Sequence, residues 1–115
     1  GSTWTQQQKL SPSAIVAFTY FGQSVSINSD ATFAIIGAHG DTTATGAAYV
    51  FSRSGSTWTL ERKITASDAQ VNDYYGLGVS LSSDAAYAIV GSIYEDGGSG
   101  DPITNSGTSY IYEAG

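Results

Sequence analysis

Tyr20-Phe21-Gly22-Gln23-Ser24-Val25-Ser26-Ile27 and Tyr74-Tyr75-Gly76-Leu77-Gly78-Val79-Ser80-Leu81 are one strand written twice, 54 positions apart. Side chains alternate across a strand, so Phe21, Gln23, Val25 and Ile27 line one face and Gly22, Ser24 and Ser26 the other. The second copy sharpens the contrast: Tyr75, Leu77, Val79 and Leu81 are bulky, whereas Gly76, Gly78 and Ser80 are small. A strand with one wet face carries charge there. Here the second face is merely small, so both faces are expected to be covered, the bulky face of one sheet lying on the small face of the next.

The same spacing holds on either side of these strands. Gly1-Ser2-Thr3-Trp4-Thr5 returns as Gly55-Ser56-Thr57-Trp58-Thr59, and Ser29-Asp30-Ala31 as Ser83-Asp84-Ala85. A fixed period of this size marks a repeat architecture, in which one unit buries its faces only against neighbours. Strand signals separated by turn residues divide one period into four segments: a, Phe21 to Ile27; b, Thr32 to Gly37; c, Ala47 to Ser52; d, Ser56 to Ile64. The second copy supplies a at Tyr75 to Leu81, b at Ala86 to Gly91 and c at Thr108 to Glu113. Its d segment is missing, and the chain instead begins with one, Thr3 to Leu10. The expected class is therefore all-β, built from radially stacked four-stranded antiparallel sheets. Residues 1–115 form a single unit, in which 1–10 is an outer strand, 21–64 a complete sheet and 75–113 three strands of a second.

Composition agrees with this class. The 115 residues include 14 Gly and only 12% charged side chains, which favours short strands and turns. Cysteine is absent, so disulfides and thiolate metal sites are excluded. A net charge of -6 repels phosphate backbones and anionic lipid, which argues against nucleic acid as a partner. No apolar run approaches a membrane span, so no membrane insertion is expected.

The runs Tyr20-Phe21-Gly22-Gln23-Ser24-Val25-Ser26, Ala34-Ile35-Ile36-Gly37-Ala38 and Gly46-Ala47-Ala48-Tyr49-Val50-Phe51 resemble the FG-GAP repeat of integrin α-subunit β-propellers and related secreted proteins. Phe21-Gly22 and Gly37-Ala38 carry the match in one copy, Tyr75-Gly76 and Gly91-Ser92 in the other. The resemblance implies that each repeat is one propeller blade, that an N-terminal outer strand completes the blade begun by C-terminal strands, and that the setting is extracellular. Propellers have about four to eight blades, and this chain holds two. Head-to-tail association closes such a ring: a homotrimer gives six blades and a homotetramer eight, with the partner being a second copy. Trp4 and Leu10 of one chain are expected to meet Tyr110, Ile111 and Tyr112 of the next.

Many blades of this family bind calcium between segments a and b through several carboxylates. Calcium takes six or more oxygens, and Asn28-Ser29-Asp30-Ala31 and Ser82-Ser83-Asp84-Ala85 offer one carboxylate each. Tight hairpin turns are expected there instead. Glu95, Asp96 and Asp101, on a b–c connection seven residues longer than in the first copy, are the candidate cation ligands, and calcium the candidate ion. His39 is the only histidine and stands where the second copy has Ile93, so no Ser-His or Cys-His catalytic arrangement emerges and no enzymatic role is expected.

Differences between the copies point to contacts. Ser67-Asp68-Ala69-Gln70-Val71-Asn72-Asp73 is polar, whereas its counterpart Ser13-Ala14-Ile15-Val16-Ala17-Phe18-Thr19 is apolar. Ile15, Val16 and Phe18 are expected either to be buried against the next blade or in a filled central channel, or to form a contact surface for a partner or for a second ring stacked on the first. Trp4 and Trp58 recur at one blade position, as anchors between blades or as sugar-stacking platforms. Tyr94 is the candidate ligand contact. The expected function is a binding or adhesion scaffold. The alternatives are a designed or excised propeller fragment with a purely structural role, and a lectin whose ring multiplies a weak glycan site.

Overall fold

Each copy folds as an antiparallel meander in the computed structural model, which describes residues 3–12, 18–67, 73–92 and 107–115. The first sheet contains β1 (Ser24–Ile27), β2 (Phe33–Ala38), β3 (Ala47–Ser54) and β4 (Thr57–Ile64), in that spatial order. The second contains β5 (Gly78–Leu81), β6 (Tyr87–Ser92) and β7 (Thr108–Glu113), again in chain order. Pairing Val25 with Ile36 and Ile36 with Tyr49 repeats in the second sheet as Val79 with Val90 and Val90 with Tyr110. Register is thus set by the apolar alternation. The first turn of segment a stays outside the ladder in both copies, β1 and β5 beginning three residues later than expected. Between β2 and β3 lies one helical turn, α1 (Asp41–Ala44), which the strand reading did not anticipate.

Stacking follows the alternation. Val79, Leu81, Val90, Tyr110 and Tyr112 from the bulky face of the second sheet pack with Ile35, Ala48, Val50 and Ile64 from the other face of the first. Tyr75, Ile35 and Val90 are fully buried at the centre. Close approach is possible because Gly37 has no side chain: a Cβ there would lie 2.0 Å from the Gly76 carbonyl oxygen. The opposite face of the first sheet carries a second cluster, Ile36, Tyr49 and Phe51, with Phe21, Trp58, Leu60 and Leu10 against it.

Thr3 to Leu10, expected to complete a neighbour's blade, pairs with no described strand of its own chain. Strands need an edge to pair with, and here the side chains make the contact instead. Gln8 Nε2 donates to the Trp58 carbonyl at 3.0 Å, and Gln8 Oε1 accepts from the Trp58 N–H at 2.8 Å. Gln7 Oε1 accepts from the Trp58 indole N–H at 2.8 Å. These contacts occupy two backbone groups of an outer strand with the amide of a single glutamine.

Candidate functional site

Two exposed surfaces and the edge of the second sheet distinguish this molecule from a sealed domain. On the first sheet, Val25 and Ile27 are 65% and 56% exposed, although their counterparts Val79 and Leu81 sit in the core between the sheets. On the second sheet, Ile89 and Ile111 lie on the uncovered face, with Ile111 71% exposed. Apolar side chains at this exposure, lined up along paired strands, mark a contact surface. That edge is β7, which pairs with β6 alone among the described strands and ends the second sheet as β4 ends the first. Beside it runs a groove of about 890 Å³, floored by Leu81, Ala88 and Tyr112 and walled by Arg62 and Ile64 of β4. A free edge beside a groove with an apolar floor and charged walls is a template for one more strand.

The contact between the sheets is bonded as well as packed. Ser24 Oγ donates to the Gly76 carbonyl at 3.0 Å, and Ser26 Oγ accepts from the Leu81 N–H at 3.1 Å. The two a–b turns also join, Ser29 donating from its N–H and its Oγ to the Ser83 carbonyl at 3.1 and 2.9 Å.

Both turns are tight hairpins. Asn28 Oδ1 accepts from the Thr32 and Phe33 N–H groups at 3.0 and 2.9 Å, and Asp30 Oδ1 takes the Thr32 hydroxyl at 2.6 Å. The Thr32 hydroxyl is the chief reason that the Asp30 carboxyl is held below its ordinary range. In the second copy Asp84 Oδ1 accepts from the Ala86 N–H at 3.0 Å, and Ser82 plays the part of Asn28. The carboxylates are committed to turn geometry. Ala31 and Ala85 take φ of 57° and 60°, where glycine would be easier.

Sequence reasoning missed two side-chain clusters. Asp41, at the start of α1, accepts from the Tyr49 hydroxyl at 2.5 Å, the Thr42 hydroxyl at 2.6 Å and Lys63 Nζ at 3.2 Å. Burial pushes the Asp41 carboxyl up, but these three donors outweigh it and hold it below the ordinary range. Burial, with Asp41 beside it, pushes the Tyr49 hydroxyl up. The other cluster is aromatic: the His39 ring stacks on Tyr20 at 4.8 Å and meets Tyr74 edge-on at 5.7 Å, joining a loop of each copy. Burial lowers the His39 pKa, and its Nδ1 is buried without a hydrogen-bond partner among the described residues. A period-two reading finds strand faces and is blind to loops, where both clusters originate.

The remaining expected site residues are placed as follows. Tyr110 and Tyr112 lie on the core side of β7, and the Tyr75 hydroxyl donates to that of Tyr112 at 2.6 Å. Ile111 points the other way. Leu10 packs against the cluster of Ile36, Tyr49 and Phe51, while Trp4 is 95% exposed. Phe18 is 77% exposed in the single chain, with Tyr20 at 6.4 Å between ring centroids. Ile15, Val16, Tyr94, Glu95, Asp96 and Asp101 lie outside the described residues.

Antiparallel meanders repeating every 54 residues, with bulky face seated on small face, define a β-propeller repeat module. More particularly, the family model for the FG-GAP repeat matches residues 4–51 and 58–112, and the chain belongs to that family. A search among curated proteins finds no match.

Proposed function

We propose that this chain is a non-enzymatic β-propeller module that associates with itself head to tail into a closed ring of six or eight blades and serves as a binding or adhesion scaffold. The position of the N-terminal segment carries the reading. Leu10 sits on the bulky face of the first sheet, as Ile64, 54 residues later, sits on the bulky face of the second. Ile64 belongs to the outer strand of the blade before; Leu10 therefore stands where an outer strand would lie for a blade whose inner strands come from elsewhere. The β7 edge and its groove lack such a strand, and the segment 3–10 of a second copy has the matching sequence, Thr-Trp-Thr followed by Lys9-Leu10 as Thr57-Trp58-Thr59 is followed by Lys63-Ile64. The N-terminal segment acts as a docked template rather than a loose arm.

A non-enzymatic role is supported by the use of the titratable groups. Asp41 is engaged by three donors, Asp30 and Asp84 hold turns, and His39 is stacked on Tyr20 with Tyr74 edge-on to it. Light scattering tests the assembly: the expected mass is three or four times the 11.9 kDa chain, and a monomer at all concentrations overturns it. The bare indole of Trp4 and the exposed ring of Phe18 favour a second reading, a carbohydrate-binding ring. A glycan array on the assembled protein tests it, and the absence of any bound sugar leaves the ring purely structural.

A further inference from the structure

The contact inside the chain is a template for the two faces that it leaves uncovered. Across it, Ser26 Oγ accepts from the Leu81 N–H, Ser29 donates to the Ser83 carbonyl, and the Gly76 carbonyl lies over Gly37. Ser29 and Ser83 are each other's counterparts, 54 positions apart, and each of the other participants has its counterpart on a free surface. Ser80 and Gly91, the counterparts of Ser26 and Gly37, belong to the uncovered face of the second sheet. Ile27 and Gly22, the counterparts of Leu81 and Gly76, belong to the uncovered side of the first.

The counterparts also share backbone geometry. The Gly22 N–H donates to the Gly37 carbonyl at 3.0 Å, as the Gly76 N–H donates to the Gly91 carbonyl at 3.0 Å. Gly22 takes φ of 98° and Gly76 of 95°. What differs is occupancy by a neighbour: nothing lies within 4 Å of a Cβ built on Gly22, and at Gly91 the nearest atom is 3.8 Å away. Sterically, these positions are prepared for a close backbone approach.

We propose that a second copy of this chain seats the β1 side of its first sheet on the free face of the second sheet, in the register of the internal contact. The second copy's Ile27 N–H donates to Ser80 Oγ, its Ser29 carbonyl accepts from Ser83, and its Gly22 carbonyl lies over Gly91. Its Val25 and Ile27 side chains pack on Ile89 and Ile111, as Val79 and Leu81 pack with Ile35 and Val50. One bond is not repeated, because Gly78 stands where Ser24 donates to Gly76. The occupant is a copy of this chain because one sequence carries both halves of a contact already made once within it. This inference rests on head-to-tail association and adds the faces and the register.

Two measurements test it. The chain has no cysteine, so Ile27→Cys in one preparation mixed with Ser80→Cys in another is expected to give an interchain disulfide on mild oxidation. Ser26→Cys with Leu81→Cys in one chain is the internal positive control. Gly91→Val is expected to leave the far-ultraviolet circular dichroism and melting temperature of the protomer intact while dropping the assembly to 11.9 kDa. An assembled wild type with no Ile27–Ser80 cross-link and an unaffected Gly91→Val variant overturns the register alone. A monomeric wild type overturns both the register and the head-to-tail reading, and leaves these faces to a different partner.

Discussion

Gly37 and Gly91 hold the same position in successive blades, yet a Cβ would meet a carbonyl oxygen at 2.0 Å in the first and at 3.8 Å in the second. The same inversion runs through the bulky faces. Val79 and Leu81 are core residues, whereas Val25 and Ile27 face solvent. Sequence similarity between the blades is therefore a poor guide to what each residue contributes. Burial of equivalent strands is decided by which neighbour each has, as expected for a quasi-one-dimensional repeat.

Substitutions made in pairs break or sharpen this contrast. The largest effect is expected at Tyr75, fully buried between the sheets with its hydroxyl on Tyr112. Tyr75→Ala should destabilise the protomer by about 4 kcal/mol in urea unfolding, against about 2 kcal/mol for Phe21→Ala at the equivalent, partly covered place. Equal losses would mean that the first bulky face is as well packed as the second. Next comes the glycine pair: Gly37→Val should cost roughly 3 kcal/mol by driving the sheets apart. Gly91→Val should stay within about 0.5 kcal/mol in the unassembled protomer.

A smaller contrast lies in the turns. Asn28 is buried and its side chain satisfies two backbone N–H groups, whereas half-buried Ser82 satisfies one. Asn28→Ala is expected to cost about 2 kcal/mol and Ser82→Ala about 0.5 kcal/mol, the asymmetry reflecting the expense of stranding buried donors. The smallest effect is a pH response. Folding lowers the His39 pKa, so the folded state binds fewer protons than the unfolded one around the ordinary value of 6.5. Stability from this source is complete above that value and declines as pH falls through the lowered pKa. The melting temperature should therefore drop between about pH 7 and 5 and hold steadier over that window in His39→Phe. An unchanged slope in the variant would place the response elsewhere.

Much of the fold was legible because it rests on period-two alternation and on spacing. Strands β2, β3, β4, β6 and β7 lie within two residues of the expected bounds, and the face-on-face stacking follows from the small residues of segment a. What escaped was whatever depends on loops or on neighbours. Asp41 meets Tyr49 and Lys63 through the b–c connection folded as α1, and His39 meets Tyr20 across two loops of its own copy and Tyr74 across the contact between the blades. The segment 3–10 reads as a strand by its likeness to β4, but a strand exists only with a partner, and propensity alone provides none. Its contact with β4 through Gln7 and Gln8 is a matter of side-chain reach, which alternation does not encode.

The approach of Gly76 to Gly37 has a mechanical consequence. Backbone meets backbone there, with no methylene between them to repack, so the wedge angle between successive blades is set by stiff covalent geometry rather than by deformable side chains. The geometry between the two blades is then a property of the peptide chain itself, and side chains elsewhere on the blade are free to change without altering it.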